Sequence, residues 1–228
     1  MLLLEARKVC KSYRTGTGEE IRALHEVSLS IDCGQAIALV GPSGAGKTTL
    51  LALLGAIERP TRGQVLFHGQ DLGLCSGTEL TRVRRAIGHI FQSFSLIPEL
   101  TVLENVTYPL IPRGVRRTER NRRALEWLTR LGLDGRARER VRTLSGGEQQ
   151  RVVAARALIC QPEIILADEP TSNLDLENAR VLIAEFGILR KAGTAFILAA
   201  HDPLVVGLAD RVLELEAGQL KPQSEPTT

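Results

Sequence analysis

AIALVGPSGAGKTTLLALLGAI, residues 36–57, is the stretch that decides the fold of this chain. AIALV is a short, fully apolar, β-prone run, which predicts a buried strand, and TLLALLGAI has helical character. Between them stands GPSGAGKT, Gly41–Thr48, which fits the pattern GxxxxGK[ST] in its required context, after a strand and before a helix. The stretch therefore predicts an α/β fold that binds a nucleotide.

The loop residues are of the types that phosphate binding needs. The backbone amides of Gly44–Thr48 are expected to wrap the phosphates, Lys47 to reach the β and γ groups, and Thr48 to ligate Mg²⁺. The predicted nucleotide-binding residues of this loop are Gly41, Pro42, Ser43, Gly44, Ala45, Gly46, Lys47, Thr48 and Thr49.

Two carboxylates, Asp168 and Glu169, follow the apolar run IILA (164–167). They would emerge at the edge of the sheet where the phosphate loop also opens. Asp168 is predicted to hold Mg²⁺ through water, and Glu169 to orient the attacking water. The alternative, an acidic pair that only starts a loop, is disfavoured by the phosphate loop.

Further apolar runs predict the remaining strands of the core. EIILADE (163–169) and TAFILAA (194–200) are continuous, which suits a parallel sheet covered on both faces, and RVLELEAGQL (211–220) predicts a late strand and turn. His201 ends one of these runs, and Gln92 follows the strand-like run AIGHIF. Taken alone, both would be ordinary residues at strand edges.

The two other parts of the chain differ from this core. Leu2–Val9, Leu24–Ile31 and Gln64–His68 alternate or end at turns, which indicates a smaller antiparallel sheet. Helical signals dominate from about residue 101 to 158. The sequence predicts a single domain: an α/β core of about 1–92 and 159–220, an inserted helical subdomain of about 93–158, and a polar tail, 221–228.

Charge is unevenly distributed along the chain. Residues 113–142 hold eleven arginines and four acidic residues, a net charge of +7, whereas the whole chain has +3. A solvated helix face explains this surplus, and contact with anionic lipid headgroups or an acidic partner is the alternative. Nucleic acid is not expected, because aromatic residues make up only 4% and no base-stacking platform is visible.

Neither a membrane span nor a secretory signal is predicted. No apolar run approaches the length needed to cross a bilayer, and MLLLEARK turns charged after three leucines. The four cysteines are scattered without a CxxC pair, which suggests neither zinc nor disulfides and fits a reducing cytosol.

A second glycine turn, TLSGGEQQRV (143–152), resembles a phosphate-binding turn without a lysine. With the other motifs it gives a resemblance to the nucleotide-binding subunit of ABC transporters over nearly the whole chain. The matching motifs, in order, are Walker A at 41–48, the Q-loop at Phe91-Gln92, the signature LSGGE at 144–148, Walker B at IILADE, the D-loop SNLD at 172–175 and the switch histidine His201.

The resemblance implies a P-loop NTPase fold with a RecA-like core, and ATP hydrolysis with ATP and Mg²⁺ as cofactors. It also implies a head-to-tail homodimer in which the signature of one chain closes over ATP on the other. Helix-start dipoles could then act on the partner's ATP without a lysine. The signature residues assigned to this contact are Ser145, Gly146, Gly147 and Glu148.

Four more positions take their roles from the resemblance. Tyr13 falls where the family puts its adenine-stacking aromatic, with a packing role as the alternative, and a flat ring does not select ATP over GTP. Asp175 would border the partner's site, and His201 would bond the γ-phosphate. Gln92 would contact Mg²⁺ or water and hinge the helical subdomain.

The segment SFSLIPELTVLENV (93–106) lies, by resemblance, beside the groove that receives a coupling helix of an integral membrane permease subunit, with packing in the core as the alternative. This segment and YPLIPRGV resemble the lipoprotein-release and macrolide-export subfamily. Leu96-Ile97-Pro98 departs from the commoner Leu-Leu-Pro, and AAHD lacks the usual threonine before the histidine. Neither departure touches a catalytic position.

The resemblance implies that the chain lies peripherally on the cytoplasmic face of the inner (plasma) membrane. The sequence therefore predicts an ATPase that drives export or extraction of a lipophilic substrate, lipoprotein or drug. A regulatory ATPase that signals through a membrane partner without transport is the alternative. LSGGE disfavours a small-molecule kinase, and the lack of a second cassette or coiled-coil insertion disfavours a soluble translation or repair ATPase.

Overall fold

A six-stranded sheet forms the centre of the molecule, in a computed structural model that describes residues 1–16, 18–91 and 93–221. Its strands stand in the order β10-β9-β3-β8-β7-β6. They are β3 (Ala36–Val40), β6 (Ile87–Ile90), β7 (Ile164–Asp168), β8 (Ala195–Ala199), β9 (Arg211–Glu216) and β10 (Gln219–Leu220). All neighbours are parallel except β9 and β10.

The predicted parallel sheet, covered on both faces, is confirmed. Every residue of β7 and of β8 is buried, as continuous apolar runs require. Because β3, β7 and β8 run in one direction, the residues that follow them meet at one edge of the sheet.

A second, antiparallel sheet has the order β2-β1-β4-β5. Its strands are β1 (Leu2–Arg14), β2 (Glu20–Asp32), β4 (Arg62–Phe67) and β5 (Gln70–Asp71). The predicted smaller sheet near the N-terminus is confirmed, but β1 runs on to Arg14, beyond the predicted end at Val9. Register shifts in its pairing with β2 break the alternation from Ala6 onward, which explains the short prediction.

Seven α-helices occur in the described residues. They are α1 (Lys47–Leu54), α2 (Gly77–Ala86), α3 (Val102–Thr107), α4 (Arg117–Arg130), α5 (Gly146–Leu158), α6 (Leu176–Lys191) and α7 (Pro203–Leu208). Three short 3₁₀ turns lie between α3 and α5, at Tyr108–Leu110, Asp134–Arg136 and Val141–Thr143. The predicted run of helical structure between the strands is confirmed, whereas the subdomain limits at about 93 and 158 stay a prediction.

Two buried apolar clusters hold these layers together. One joins α1 and the antiparallel sheet to one side of the central sheet, and the other joins α5, α6 and the helical insertion to the opposite side. In the described parts of the chain, no helix combines the length and apolar character that a bilayer span requires. The glycine loop before α1 lies at the sheet edge between these layers, which positions the candidate site.

Candidate nucleotide-binding site

Two glycines fix the backbone of the loop between β3 and α1. Gly41 has a φ of 141°, and a Cβ on it would stand 1.9 Å from the carbonyl oxygen of Leu215. Gly46, at the start of α1, has a φ of 104°, and a Cβ there would stand 2.6 Å from the carbonyl oxygen of Ala23. Only glycine accepts both the conformation and the close approach, so the loop is held between β9 and β2.

Lys47 is folded back onto its own loop. Its ammonium group donates to the carbonyl oxygen of Gly41 at 2.5 Å and to that of Pro42 at 3.1 Å. Only 9% of the residue is exposed. The cation is therefore held in the bend of the loop, where an incoming phosphate would meet it.

Thr48 and Asp168 come together across the cleft. The Thr48 Oγ1 donates a hydrogen bond of 2.5 Å to the Asp168 Oδ2, and Asp168 is only 5% exposed. A hydroxyl and a carboxylate are the hard oxygen ligands that Mg²⁺ takes, with phosphate and water supplying the rest. No cluster of three or more His, Cys, Asp or Glu side chains suited to a metal occurs in the described residues. The pair fits Mg²⁺ bound together with a nucleotide.

Glu169 has a strained backbone, with a φ of 50°. Its amide donates to the carbonyl oxygen of Ala199 at 2.8 Å, which ties it to β8. Burial raises the pKa of its carboxyl group above the ordinary value of 4.5, and Asp168 and Asp202 raise it further, whereas His201 and Lys47 lower it. A carboxylate that holds its proton more firmly is a better base.

The cleft in front of the loop has a volume of about 330 Å³. Its lining consists of Ala23, Ser43, Gly44, Ala45, Gly46, Lys47, Thr48, Thr49, Asp168, Glu169 and His201. The structure thus brings together the loop, both acids and the histidine, whereas Gln92 lies outside the described residues. A larger cleft of about 410 Å³ beside Cys10 and His25 in the antiparallel sheet lacks this combination of groups.

The signature turn begins α5 and is not part of this cleft. The Ser145 side chain accepts from the amide of Glu148 at 3.3 Å, and the Glu148 carboxylate accepts from the amide and hydroxyl of Ser145. Arg136 also contacts the Glu148 carboxylate, at 3.0 Å. None of residues 144–148 is among the described residues that line the nucleotide cleft. The Glu148 carboxylate is therefore engaged in capping α5, whereas Ser145 and Gly146 are exposed.

The D-loop packs directly against the signature. A Cβ on Gly147 would stand 2.8 Å from the carbonyl oxygen of Asn173, so a larger residue would separate the two motifs. Asp175 caps α6 by accepting from the amide of Asn178 at 2.8 Å, and the bonds from Asn178 lower the pKa of its carboxyl group. Both motifs belong to one surface outside the chain's own cleft.

Tyr13 lies beside the cleft and does not line it. Its hydroxyl donates to the Glu58 carboxylate at 2.9 Å, and the Lys11 ammonium stands 4.9 Å from the ring centroid. Burial raises the pKa of the hydroxyl, which also contacts Thr49. The ring is 39% exposed, and its Thr49 contact places it at the start of the loop helix.

Sequence reasoning missed one residue that holds the site together. The Gln150 side chain is fully buried, and its Nε2 donates to the carbonyl oxygen of Pro170 at 3.0 Å. Pro170 directly follows Glu169, so this bond ties the signature helix to the acidic pair. Nothing in the local pattern separates Gln150 from Gln149, so the sequence carried no signal for it.

Comparison with known proteins identifies relatives of this chain. The family model described as ABC transporter matches residues 24–172. A curated relative, the macrolide export ATP-binding/permease protein MacB 2 of Aeromonas hydrophila subsp. hydrophila, is 41% identical over 99% of this chain. The alignment covers 36% of that relative, so the chain spans about a third of its length.

Two solved structures share the fold. One is a dimeric post-hydrolysis state of the ATP-binding cassette MJ0796 bound to ADP and Pi, with a TM-score of 0.93 and 38% identity over 98% of each chain. The other, MJ0796 as a dimeric bacterial ABC transporter cassette, has a TM-score of 0.92 and 37% identity over 98% of each chain. The architecture expected from the resemblance is thereby confirmed, and the chain belongs to the ABC transporter family as an ATP-binding cassette with ATPase activity.

Proposed function

We propose that this chain is the ATP-hydrolysing subunit of an ABC transporter, that two chains close head to tail on ATP, and that closure drives a separate membrane subunit. One observation carries the proposal. The cleft holds the phosphate loop, both acids and His201, whereas the signature turn is exposed outside it. A site that lacks its own signature is completed by a second copy.

The loop binds the nucleotide and sets its orientation. Loop amides and the Lys47 ammonium hold the phosphates, and the Lys47 bonds to its own loop carbonyls give way to bonds to phosphate oxygens. Thr48 and Asp168, with Gln92, hold Mg²⁺, which when bound neutralises phosphate charge. Tyr13 offers its exposed ring to the adenine.

Glu169 is the residue that accepts the proton of the attacking water. Its raised pKa suits a base, and its carboxylate lines the cleft together with Lys47 and His201. His201 bonds the γ-phosphate. Residues 145–148 of the second copy cover that phosphate from the far side, and Asp175 of that copy borders the same site.

Dimerisation is supported by the relatives. Both MJ0796 structures are dimers, and one of them contains ADP and Pi. Contact in trans resembles the arginine finger, which is worth about 10³ to 10⁵ in rate. Hydrolysis by the present chain thus depends on closure of the two copies.

A membrane permease is the proposed partner. The relative MacB 2 is named as an ATP-binding/permease protein for macrolide export, and the present chain corresponds to about a third of it. We assign the chain a peripheral position on the cytoplasmic face of the membrane, with residues 93–106 beside the permease groove and anionic lipid headgroups as a further contact. The work it drives is export or extraction of a lipophilic substrate, lipoprotein or drug.

Glu169→Gln tests the proposal. The variant should still bind ATP but turn over more slowly by roughly 10² to 10⁴, the usual worth of a positioned base. It should also elute as a dimer with ATP and as a monomer with ADP in size-exclusion chromatography. Glu163→Gln, a half-exposed acid at the other end of β7, is the matched control and should hydrolyse normally. Hydrolysis at the parental rate by Glu169→Gln would rule out the assignment.

A further inference from the structure

The structure divides the arginines of the basic segment 113–142 into two classes. Four are paired with carboxylates: Arg122, Arg123, Arg130 and Arg136. Arg113 donates to backbone carbonyl oxygens. Within the described residues the side chains of the other six make neither a hydrogen bond nor an ion pair, namely those of Arg116, Arg117, Arg120, Arg138, Arg140 and Arg142. The charge surplus of the sequence is thus concentrated in unpaired side chains.

Three of these six arginines lie at the start of α4. Arg116 precedes the helix, Arg117 begins it, and Arg120 follows one turn later. The bonds to Thr101 lower the pKa of the nearby Glu104 carboxyl group, and Arg117 and Arg140 lower it further. The Glu104 carboxylate is already engaged as the cap partner of Thr101. Among the described residues Glu104 makes no ion pair with these arginines, so their side chains stay available to another anionic partner.

An exposed apolar pair lies beside these arginines. Tyr108 and Ile111 are 52% and 48% exposed. They are three residues apart in a 3₁₀ turn, closed by the bond from the Ile111 amide to the Tyr108 carbonyl, so both side chains lie on the same side. The Val115 amide donates to the Leu110 carbonyl oxygen, which folds this turn against the residues that lead into α4.

The free chain carries this arrangement at a cost. Arg116 and Arg117 lie at the N-terminus of α4, where the helix dipole is positive and cations are unfavourable. The acid in this first turn, Glu119, is bound by Arg122 and Arg123. These positive charges destabilise the free chain, so contact with a negatively charged surface stabilises them.

From these contacts we infer that Tyr108, Ile111, Arg116, Arg117 and Arg120 form a membrane-contact surface for anionic lipid headgroups. Tyrosine and isoleucine enter the interface between headgroups and acyl chains, and the arginines bind phosphates around them. An acidic protein would account for the arginines but not for the exposed apolar pair among them. The inference rests on the proposed work at a membrane.

Vesicle binding tests this surface. Sedimentation with phosphatidylcholine vesicles and with phosphatidylcholine–phosphatidylglycerol vesicles should show binding only to the second, weakened by salt because screening shortens the reach of charge. Replacing Arg116, Arg117 and Arg120 together with Gln should weaken binding by about fivefold for each arginine, on the order of a hundredfold in total.

Matched variants separate this surface from overall charge. The triple Gln variant of Arg122, Arg123 and Arg130 removes the same charge from paired positions and should bind nearly as well as the parent. Tyr108→Ser with Ile111→Ser should weaken binding, whereas Leu74→Ser, at an exposed leucine of the α/β core, should not. Equal losses in the two triple variants, or equal binding to both kinds of vesicle, would overturn the inference.

ATP turnover in solution keeps the two proposals distinct. All of these variants should hydrolyse ATP at the parental rate, since none of the changed residues lines the cleft. Lost vesicle binding with normal turnover supports the surface. If turnover is normal and none of the substitutions changes vesicle binding, the proposed surface is rejected. The ATPase proposal then stands.

Discussion

Thr48 and Asp168 lie 120 residues apart in the chain, and a hydrogen bond of 2.5 Å joins the Thr48 hydroxyl to the Asp168 carboxylate. The bond links the first turn of the loop helix to the end of β7. The bond therefore places two oxygen ligands suited to Mg²⁺ side by side.

Asp168→Asn should separate cation binding from nucleotide binding. Asparagine can still accept the bond from Thr48, but it removes the negative charge that attracts Mg²⁺. The Mg²⁺ concentration for half-maximal ATPase activity should rise roughly tenfold or more, while a fluorescent ATP analogue without Mg²⁺ should bind as before. Asp134→Asn, an exposed acid in the helical insertion, is the control. An unchanged Mg²⁺ requirement would remove Asp168 from the site.

Lys47→Met should weaken nucleotide binding itself. The substitution keeps the aliphatic stem but removes the ammonium group that faces the phosphates, and charge-assisted bonds contribute about 1.5–3 kcal/mol, or roughly ten- to a hundredfold in affinity. Equilibrium titration with a fluorescent ATP analogue measures this loss. Lys191→Met, at the end of α6, should leave the affinity unchanged. Equal affinity in both variants would contradict the predicted phosphate loop.

The pH dependence of turnover should reflect the position of Glu169. Because the pKa of its carboxyl group is raised, the base takes up its proton at a higher pH than an ordinary glutamate, and activity should fall as the pH drops through a midpoint above 4.5. Asp202→Asn removes an acid that raises this pKa and can still cap α7, so the midpoint should move to lower pH. The profile of kcat/KM against pH, which reports the free enzyme, measures both effects. A midpoint at or below 4.5 would exclude Glu169 as the base.

Partly buried His89, whose Nε2 is shielded from solvent, should make the fold acid-sensitive. Its ring stacks on Phe91 at 5.3 Å and fills the space beside Gly55, where a Cβ would stand 2.1 Å from the ring. Burial lowers the pKa of the imidazole from 6.5 to about 4, so the folded chain keeps it neutral. The stabilisation is complete above 6.5 and is lost as the pH falls toward 4.

Urea unfolding at two pH values measures this linkage. The free energy of unfolding should fall by about 2 kcal/mol between pH 7 and pH 5 through this group alone. His89→Phe keeps a ring against Phe91 and should show a correspondingly smaller loss. If both proteins lose the same stability on acidification, His89 does not titrate as its burial implies.

Local sequence patterns account for the parts of the fold that could be predicted. β3, β7 and β8 were predicted because a strand buried on both faces is apolar throughout, and the loop because its glycines serve a close backbone approach. Helix α2 was missed although Ser76 and Glu79 form a capping box, which is a readable signal. The contacts that hold the site together, such as Gln150 with Pro170, join distant parts of the chain and leave no local pattern.

The properties of the site also divide into those that a local pattern predicts and those that it does not. Asp168 and Glu169 could be placed at the mouth of the loop because parallel strands end at one edge. The strained backbone of Glu169 could not be predicted, since nothing in LADEP requires a residue with a left-handed backbone conformation. Nor could the separation of paired from unpaired arginines in 113–142 be predicted, because partners such as Glu185 come from another helix.

Mixed dimers test the exposed signature turn. One subunit carries Ser145→Arg and the other carries Lys47→Met. In the mixed dimer both lesions fall on one composite site, because the damaged signature faces the damaged loop, and the other site is intact. Each homodimer has two damaged sites. When equal amounts pair at random, half of the dimers are mixed and each has one intact site. Mixing the two inactive variants should therefore restore up to about a quarter of the parental ATPase activity if one intact site can turn over, since only the contact in trans joins the two lesions.

The control for this complementation places both substitutions in the same chain. Mixed with wild-type chains, that double variant forms dimers in which each site has one lesion, so it should lower the activity of the wild type rather than preserve an intact site. A photoreactive γ-phosphate analogue loaded on one labelled chain gives a second readout, which does not depend on turnover. Because Ser145 lies outside the nucleotide cleft of its own chain, the crosslink should appear near Ser145 of the partner. A crosslink confined to the loaded chain would reject the composite site.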